Sequence, residues 1–174
     1  MTALDGWLAE HRDSVAHFVT RARAVPADRW LVPRAEGKWT PAEETRHIIL
    51  SYQAIIADLR DGRSMAPRTR GLRRLIARAI GLSSILYLRR IPRAVRAPRE
   101  VRPPEERGAR EDLLAELERV VGECEGVFAD AWRQTPERTL THPFFGAISL
   151  RQSMTMAVVH TRHHAAFLPV SGAV

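Results

Sequence analysis

The stretch GKWTPAEETRH at residues 37–47 marks the start of a helix and ends on a histidine. Thr40 can accept hydrogen bonds from first-turn amides, Pro41 occupies a position that needs no N–H, and Glu43 completes a capping box. Helical spacing of the apolar residues continues from there, so a helix is predicted to run from Pro41 to about Arg60, just before a glycine. The stretch therefore places its terminal histidine on the second helix of the chain.

A second capped helix is predicted near the end of the chain. Ser149, with Gln152 three residues later, forms a capping box, and the helix should continue to about Leu168, just before a proline. It carries His160 and His164 four residues apart, so both imidazoles lie on one face and could converge on one ion. The same spacing is common for histidines at a core edge or on a solvated face, so it does not by itself indicate a metal site.

Two further helices and no strands are predicted. Apolar residues recur at helical spacing over Ala3–Ala24 and again over Arg110–Trp132, and no strand-like alternation of any length occurs. The chain is therefore expected to be all-α, a four-helix bundle in which a long crossover joins helices two and three. Prolines make Ile91–Arg107 an extended connector, which would let helix three lie against helix two.

Length and composition favour one ordinary domain. With 174 residues and 45% apolar content, the chain is expected to form a single domain over residues 1–174. Its N-terminal residues carry charges where a secretory signal would be apolar, and its longest uncharged stretch is too short to span a bilayer. The one cysteine, Cys124, excludes an internal disulfide and is compatible with a reducing compartment. A cytoplasmic location is therefore expected.

The basic residues are concentrated in an insertion at residues 63–107. Eleven arginines and no acid lie between Arg63 and Arg99, whereas the rest of the chain holds 16 basic and 20 acidic residues. A short amphipathic helix is predicted in the insertion. Its apolar arc consists of Leu72, Leu75, Ile76, Ala79, Ile80, Leu82, Leu86 and Tyr87. The opposite side consists of Arg70, Arg73, Arg74 and Arg78.

Three interpretations of this arginine-rich segment remain open. The helix could cover the bundle with its arginines in water, lie on an anionic membrane surface, or bind phosphate or carboxylate groups. The first is favoured, because the basic excess is local and a skew toward arginine over lysine is typical of a GC-rich genome. No specific nucleic-acid partner is predicted.

Two stretches resemble motifs of one known family. Residues 37–47 resemble its G-K-W-S/T-P-x-E-x-x-x-H helix start. Residues 142–150, HPFFGAISL, followed by HTRHH at residues 160–164, are similar to its H-P-x-F-G-x-L-S/T-L … H-x-x-x-H ending. With the four helices and the long second connection, the chain resembles the DinB-like (DinB/YfiT) superfamily over nearly its whole length.

The resemblance implies a metal centre with three histidine ligands. In the superfamily the histidines that match His47, His160 and His164 bind a divalent ion, for which zinc and nickel are the main candidates. Three neutral imidazoles would leave an open coordination position for water or a substrate thiolate. His163 leaves an alternative open, since it could share a helix face with His160.

The implied activity is enzymatic. By resemblance, the preferred reaction is transfer of a low-molecular-weight thiol, of the bacillithiol, mycothiol or glutathione type, to a small electrophilic substrate. A metal-dependent hydrolase of the same fold is an alternative, and so is a non-catalytic module that docks an anionic partner through the arginine-rich segment. Phe167 stands where family members often have glutamine, so any polar task of that side chain is absent or moved. A homodimer is compatible with such a bundle.

The other chemically active side chains are assigned mainly structural roles. Glu43 is interpreted as a cap and Glu44 as a solvated residue, although either could orient an imidazole or act as a base one helical turn before His47. The remaining positions are Cys124 in the core, His11 packed in the bundle rather than a fourth ligand, His17 in solvent, His142 in a loop that could border the metal pocket, and Trp39 at the corner before helix two.

Overall fold

The computed structural model of the chain describes residues 2–92 and 96–169. Arg93 of the arginine-rich segment lies outside these ranges, as do the other residues at 93–95 of the predicted connector and both ends of the predicted domain. The described residues form α1 (Ala3–Ala24), α2 (Pro41–Asp61), α3 (Gly71–Ile76), α4 (Ser83–Leu88), α5 (Arg110–Gln134), α6 (Leu150–Ala165), β1 (Thr139–His142) and β2 (Gly146–Ser149). A π-helical segment, Ala77–Leu82, joins α3 to α4 without a break, and residues 71–88 together are called the insertion helix. None of the described helices is long and apolar enough to cross a membrane.

Four long helices, α1, α2, α5 and α6, form the bundle predicted from the sequence. α1 runs parallel to α6: the Trp7 indole donates to the Met154 carbonyl near the start of both helices, and Arg21 donates to the Ala165 carbonyl near their ends. α2 packs in the same parallel manner against α5. Two consecutive long helices can be parallel only when a long crossover joins them. The prediction of an all-α four-helix bundle with a long crossover between its second and third helices is confirmed.

Capping boxes start α2 and α6 as predicted. The Thr40 hydroxyl accepts from the Glu43 amide, and the Glu43 carboxylate accepts from the Thr40 amide. Ser149 and Gln152 make the same exchange at the start of α6. Gly62, with φ of 68°, ends α2 in the left-handed conformation that glycine adopts most readily. α6 is shorter than predicted, because its last three predicted residues form a turn.

A β-hairpin made of β1 and β2 precedes α6, and the sequence pattern does not predict it. Its strands have four residues each and pair antiparallel, with Thr139 opposite Ser149. Strands this short do not produce a recognisable alternation of apolar and polar residues. The Asp58 carboxylate, near the end of α2, accepts a hydrogen bond from the Thr141 amide and so fixes the hairpin to the bundle.

The insertion helix packs inward with part of its arginine side as well as with Leu82 of the predicted apolar arc, which is buried. Its helical structure is confirmed, but Arg74 and Arg78 turn toward the protein, and Arg78 donates to the backbone carbonyls of Phe145 and Ala147 in the hairpin. The large apolar residues of α3 are exposed instead. The expectation that this helix covers the bundle with its arginines in water therefore holds for the exposed Arg70 and Arg73 and is wrong for Arg74 and Arg78, because backbone carbonyls accept from these two side chains.

The crossover lies along α2 before the chain enters α5. Arg46 of α2 pairs with Glu106 of the crossover and Glu116 of α5, at N–O distances of 2.5 and 2.7 Å. The residue after Arg46 is His47, so these ion pairs hold the crossover beside α2 at the level of the candidate site.

Candidate metal centre

Three histidine side chains meet between α2 and α6. His47 comes from α2, and His160 and His164 come from successive turns of α6. One ring nitrogen from each lies within 4.8 Å of the other two, and the Nε2 atoms of His47 and His160 are 3.2 Å apart. Within the described ranges, this is the one group of three or more histidine, cysteine or acidic side chains with the spacing of a metal site. The structure thus brings together the three residues that the sequence analysis selected.

The outer nitrogens of two of these rings have partners that orient them. His47 Nδ1 donates to the Val101 carbonyl at 2.6 Å, and His164 Nδ1 lies 2.6 Å from Glu44 Oε2. The Val101 carbonyl requires the proton of His47 on Nδ1, and an ionised Glu44 requires the same of His164, which leaves the lone pair of each ring on Nε2. An imidazole in this form, with Nε2 turned toward the other histidines, is prepared to bind a metal ion.

The spacing of the cluster fits a divalent ion. Two nitrogen ligands at the usual metal distances in tetrahedral geometry lie about 3.3 Å apart. The Nε2 atoms of His47 and His160 lie at 3.2 Å. The three-histidine cluster could therefore hold a divalent metal, although nitrogen donors alone do not select which one.

Burial keeps the three imidazoles neutral. It lowers the pKa of His47 to about 4 and holds the pKa values of His160 and His164 well below the ordinary histidine value, and the neighbouring imidazoles lower those two further. Metal ligation requires the unprotonated ring, so protons compete only weakly for these nitrogens at neutral pH.

Glu44 is buried, and its interpretation as a solvated residue is wrong. It is 3% exposed, and burial raises the pKa of its carboxyl group to about 8, although the charge of Arg34 opposes the rise. Its contact with His164 instead matches the imidazole-orienting alternative, while Glu43 forms the predicted cap. The position of Glu44 one helical turn before His47 is the sequence signal that supported this alternative.

A cavity of about 1660 Å³ is lined by the three histidines. Trp39 forms part of its wall, with ring centres 4.8 Å from His47 and 6.2 Å from His164, so its position extends beyond the corner expected for it. Most of the other lining residues are apolar. The basic ones are Arg34, Lys38, Arg68, Arg96 and Arg102, and the acidic ones are Glu44 and Asp58. The cavity exceeds the volume of a typical small-molecule site, so it can admit two reactants together.

His163 and Phe167 also line this cavity. The His163 ring is edge-on to His164, with centres 5.3 Å apart, but it lies outside the three-histidine cluster, so the alternative pairing within α6 is not observed. The Arg34 guanidinium lies 3.9 Å from the centre of the Phe167 ring. Phe167 is thus an apolar part of the cavity wall, and the Arg34 guanidinium lies over its ring.

His142 combines the two positions that the sequence left open. Its Nδ1 accepts from the amides of Phe144 and Phe145 at 3.3 Å each, so it holds the turn of the hairpin. Its ring also lines the cavity. Burial lowers the pKa of His142 to about 4, which keeps Nδ1 available as an acceptor.

A second buried histidine, His11, belongs to a separate chain of hydrogen bonds. Its Nδ1 donates to Glu125 at 2.8 Å, its Nε2 accepts from the Tyr52 hydroxyl at 2.8 Å, and that hydroxyl lies 2.8 Å from the Thr161 hydroxyl. The prediction of a packed histidine is confirmed, because both ring nitrogens are occupied. Tyr52 and Thr161 have no signal in the sequence, since single hydroxyls on core helix faces form no recognisable pattern.

Comparison with known proteins agrees with this architecture. No curated protein and no solved structure matches the chain. A family model described as the DinB superfamily matches residues 8–168, a range that contains α2, α5, α6 and all three clustered histidines. The motifs, the bundle and this match point the same way, and the chain belongs to the DinB superfamily.

Proposed function

We propose that His47, His160 and His164 hold a divalent metal ion, and that the cavity beside them is the active site of a metal-dependent enzyme acting on a small molecule. The observation that carries this proposal is the convergence of three buried imidazoles, two of them held through Nδ1 so that Nε2 can bind. Zinc and nickel are the proposed candidates, since both accept imidazole ligands. A divalent ion with three neutral ligands would supply positive charge at an open position, which stabilises a thiolate or lowers the pKa of a water molecule.

The reaction that we propose is transfer of a low-molecular-weight thiol to an electrophile. The thiolate sulfur would form a bond to an electrophilic carbon, the thiol proton would pass to solvent, and the leaving group would depart with its bonding electrons. Arg34 and Lys38 line the cavity and offer positive charge to carboxylates such as those of glutathione. The volume of the cavity allows the thiol and the electrophile to bind together.

The protein's own thiol is unsuited to this reaction. Cys124 is the one cysteine of the sequence, and it is buried on α5, as predicted. Burial raises the pKa of its thiol far above the usual range, so it stays protonated and unreactive. A thiol used at the cavity would therefore have to come from outside the chain.

The carboxylates of the cavity support thiol transfer over hydrolysis. In a hydrolase, a free carboxylate beside the metal would help to remove a proton from the bound water. Glu44 is engaged with His164, and Asp58 accepts from the Ser64 hydroxyl and the Thr141 amide. Since both cavity carboxylates have structural partners, a nucleophile that arrives as a thiolate fits the site better.

Metal content tests the site. Elemental analysis of the purified wild type is expected to find close to one divalent ion per chain, and the His47→Ala, His160→Ala and His164→Ala variants should fall to background. His163→Ala, beside the cluster, and His17→Ala, exposed on α1, are controls that should keep the metal. Equal metal content in all six proteins would contradict the assignment of the three ligands.

Thiol consumption tests the reaction. The metal-loaded wild type should accelerate conjugation of monochlorobimane by at least one of glutathione, bacillithiol and mycothiol, and His160→Ala should lose that acceleration. Metal that is bound stoichiometrically, with no accelerated conjugation by any of the three thiols, would remove the transferase while leaving the metal site in place.

A further inference from the structure

The insertion helix presents a row of large apolar side chains to solvent. Single exposed apolar residues are ordinary, but a contiguous set on one helix marks an interaction surface. The row consists of Leu72 (71% exposed), Leu75 (64%), Ile76 (51%), Ile80 (66%), Tyr87 (81%) and Leu88 (68%). These residues are called the apolar row.

The orientation of the helix is fixed by specific contacts on its other side. Arg78 donates to two hairpin carbonyls, and the Thr69 hydroxyl, just before the helix, donates to the Phe144 carbonyl. A Cβ on Gly81 would lie 3.1 Å from the Phe145 ring, so the helix approaches the hairpin as closely as glycine permits. Because these contacts hold the arginine side against the protein, the apolar row cannot turn inward without breaking them.

Positive charge borders the apolar row. Arg70, Arg73 and Arg90 are exposed, and none of them has an acidic partner in the described part of the chain. The sequence from Arg63 to Arg99 contains no acid that could neutralise them. We propose that the insertion helix docks on an anionic lipid bilayer, with the apolar row in the interface and these arginines on the lipid phosphates.

The charge distribution favours a bilayer over a second copy of the chain. A two-fold dimer through this face would bring together two copies of the same arginine-bordered surface, with no acid between Arg63 and Arg99 of either copy to pair with them. Like charges brought together in this way oppose association. An anionic bilayer satisfies both features of the surface, since acyl chains accept the apolar row and phosphates accept the arginines.

Docking would also bring the cavity to the lipid surface. Ile76 and Ile80 belong to the apolar row and line the cavity as well. They therefore lie at its opening, and an apolar compound dissolved in the bilayer could enter from that side.

Flotation with vesicles of defined composition tests docking on the full-length protein. The wild type should float with vesicles of phosphatidylcholine containing phosphatidylglycerol and stay unbound with phosphatidylcholine alone. Raising the salt concentration should weaken the binding, because the arginines are exposed.

Two double variants separate the contribution of the apolar row to vesicle binding from that of the arginines. Leu72→Glu with Leu75→Glu should weaken binding about tenfold or more. Arg70→Gln with Arg73→Gln should weaken it about 30-fold, since each arginine near an anionic surface contributes roughly a factor of five to the affinity. Arg119→Gln with Arg133→Gln is the matched control: it removes the same charge from exposed sites on α5, which packs against α1 and α2, and should keep binding.

Three results would overturn the proposal. The wild type could fail to float with the anionic vesicles, or it could float equally well with the neutral ones. A dimer in solution that the leucine variant converts to a monomer, without vesicle binding by the wild type, would assign the apolar row to a second copy. Circular dichroism of each variant checks that these exposed substitutions leave the fold intact. The comparison of wild-type binding to anionic and neutral vesicles does not depend on the variants.

Discussion

Two carboxylate–histidine pairs lie in the same bundle, and they differ in what the second ring nitrogen does. Glu125 lies 2.8 Å from His11 Nδ1, and Glu44 lies 2.6 Å from His164 Nδ1. The Nε2 atom of His11 is occupied by the Tyr52 hydroxyl, whereas His164 belongs to the three-histidine cluster. Burial and a carboxylate partner therefore do not distinguish a structural histidine from a candidate ligand. The two are distinguished by whether the second ring nitrogen already has a hydrogen-bond partner.

The two carboxylates also differ in their charge environment. Burial alone would raise the pKa of Glu125, but hydrogen bonds from His11 and Arg12 outweigh it and leave the pKa below its ordinary value. Among the described residues, no arginine donates a hydrogen bond to Glu44, and burial raises the pKa of Glu44 to about 8. Hydrogen bonds from the protein outweigh the burial of Glu125, whereas the charge of Arg34 does not outweigh the burial of Glu44, and a bound metal would add positive charge near it.

The largest expected effect separates the two pairs directly. His11→Ala should lower the free energy of unfolding of the metal-free protein by about 3 kcal/mol, because it leaves Glu125 and Tyr52 without their buried partner. Its metal content should stay at the wild-type level, whereas His160→Ala should lose its metal. Denaturant unfolding and elemental analysis of both variants measure the two quantities, and His17→Ala controls for loss of a surface imidazole. Loss of metal in His11→Ala would show that the clusters are not independent.

A smaller effect tests the orienting role of Glu44. Glu44→Gln should weaken metal affinity by about 10- to 100-fold, since a neutral amide holds the His164 N–H less strongly than a carboxylate does. Competition titration with a metal chelator measures the affinity. Glu43→Gln, one residue earlier, is the matched control and should retain the affinity. If both variants bind metal equally well, Glu44 serves packing and does not orient the ligand.

Removal of the Tyr52 hydroxyl tests the chain of hydrogen bonds around His11. Tyr52→Phe should lower the free energy of unfolding by about 1 kcal/mol, because the His11 nitrogen and the Thr161 hydroxyl both lose a hydrogen bond. Metal affinity should not change. Denaturant unfolding with the metal removed is the measurement, and a destabilisation seen only in the metal-bound protein would assign Tyr52 to the three-histidine cluster.

The smallest change in stability is expected for Arg12, at the exposed end of the same series of hydrogen bonds. Arg12 contacts Glu125, but its side chain is 65% exposed, so solvent screens the pair. Arg12→Ala should change the free energy of unfolding by no more than about 0.5 kcal/mol. A much larger loss in the same unfolding experiment would mean that the charge of Glu125 depends on Arg12 more than on His11.

The sequence was most informative where local chemistry decides structure. The capping boxes at Thr40 and Ser149 depend on side chains within one helical turn, so they predicted the starts of α2 and α6 correctly. Those two starts placed His47 and the pair on α6, and the motif resemblance joined them into one candidate site. Each of these features can be read within a few residues.

The sequence was least informative where the partner is distant or lacks a side-chain signal. The acceptor for His47 Nδ1 is the backbone carbonyl of Val101, which any residue type could supply. The side of the insertion helix that packs inward depends on carbonyls of an unpredicted hairpin, so periodicity identified the helix but not its orientation. Glu44 reads as a polar residue near a helix start, and only the approach of α6 buries it.

The spacing of the three histidines along the chain also affects the entropy of the unfolded state. His47 and His160 are 113 residues apart, and the whole crossover lies between them. A bound ion would close most of the chain into one loop, and a covalent link across a loop of that length removes on the order of 4–5 kcal/mol of conformational entropy from the unfolded chain. Loop-closure entropy grows slowly, by about 0.6 kcal/mol for each doubling of length. The insertion helix therefore lies in the part of the chain where added residues disturb the assembly of the three histidines least.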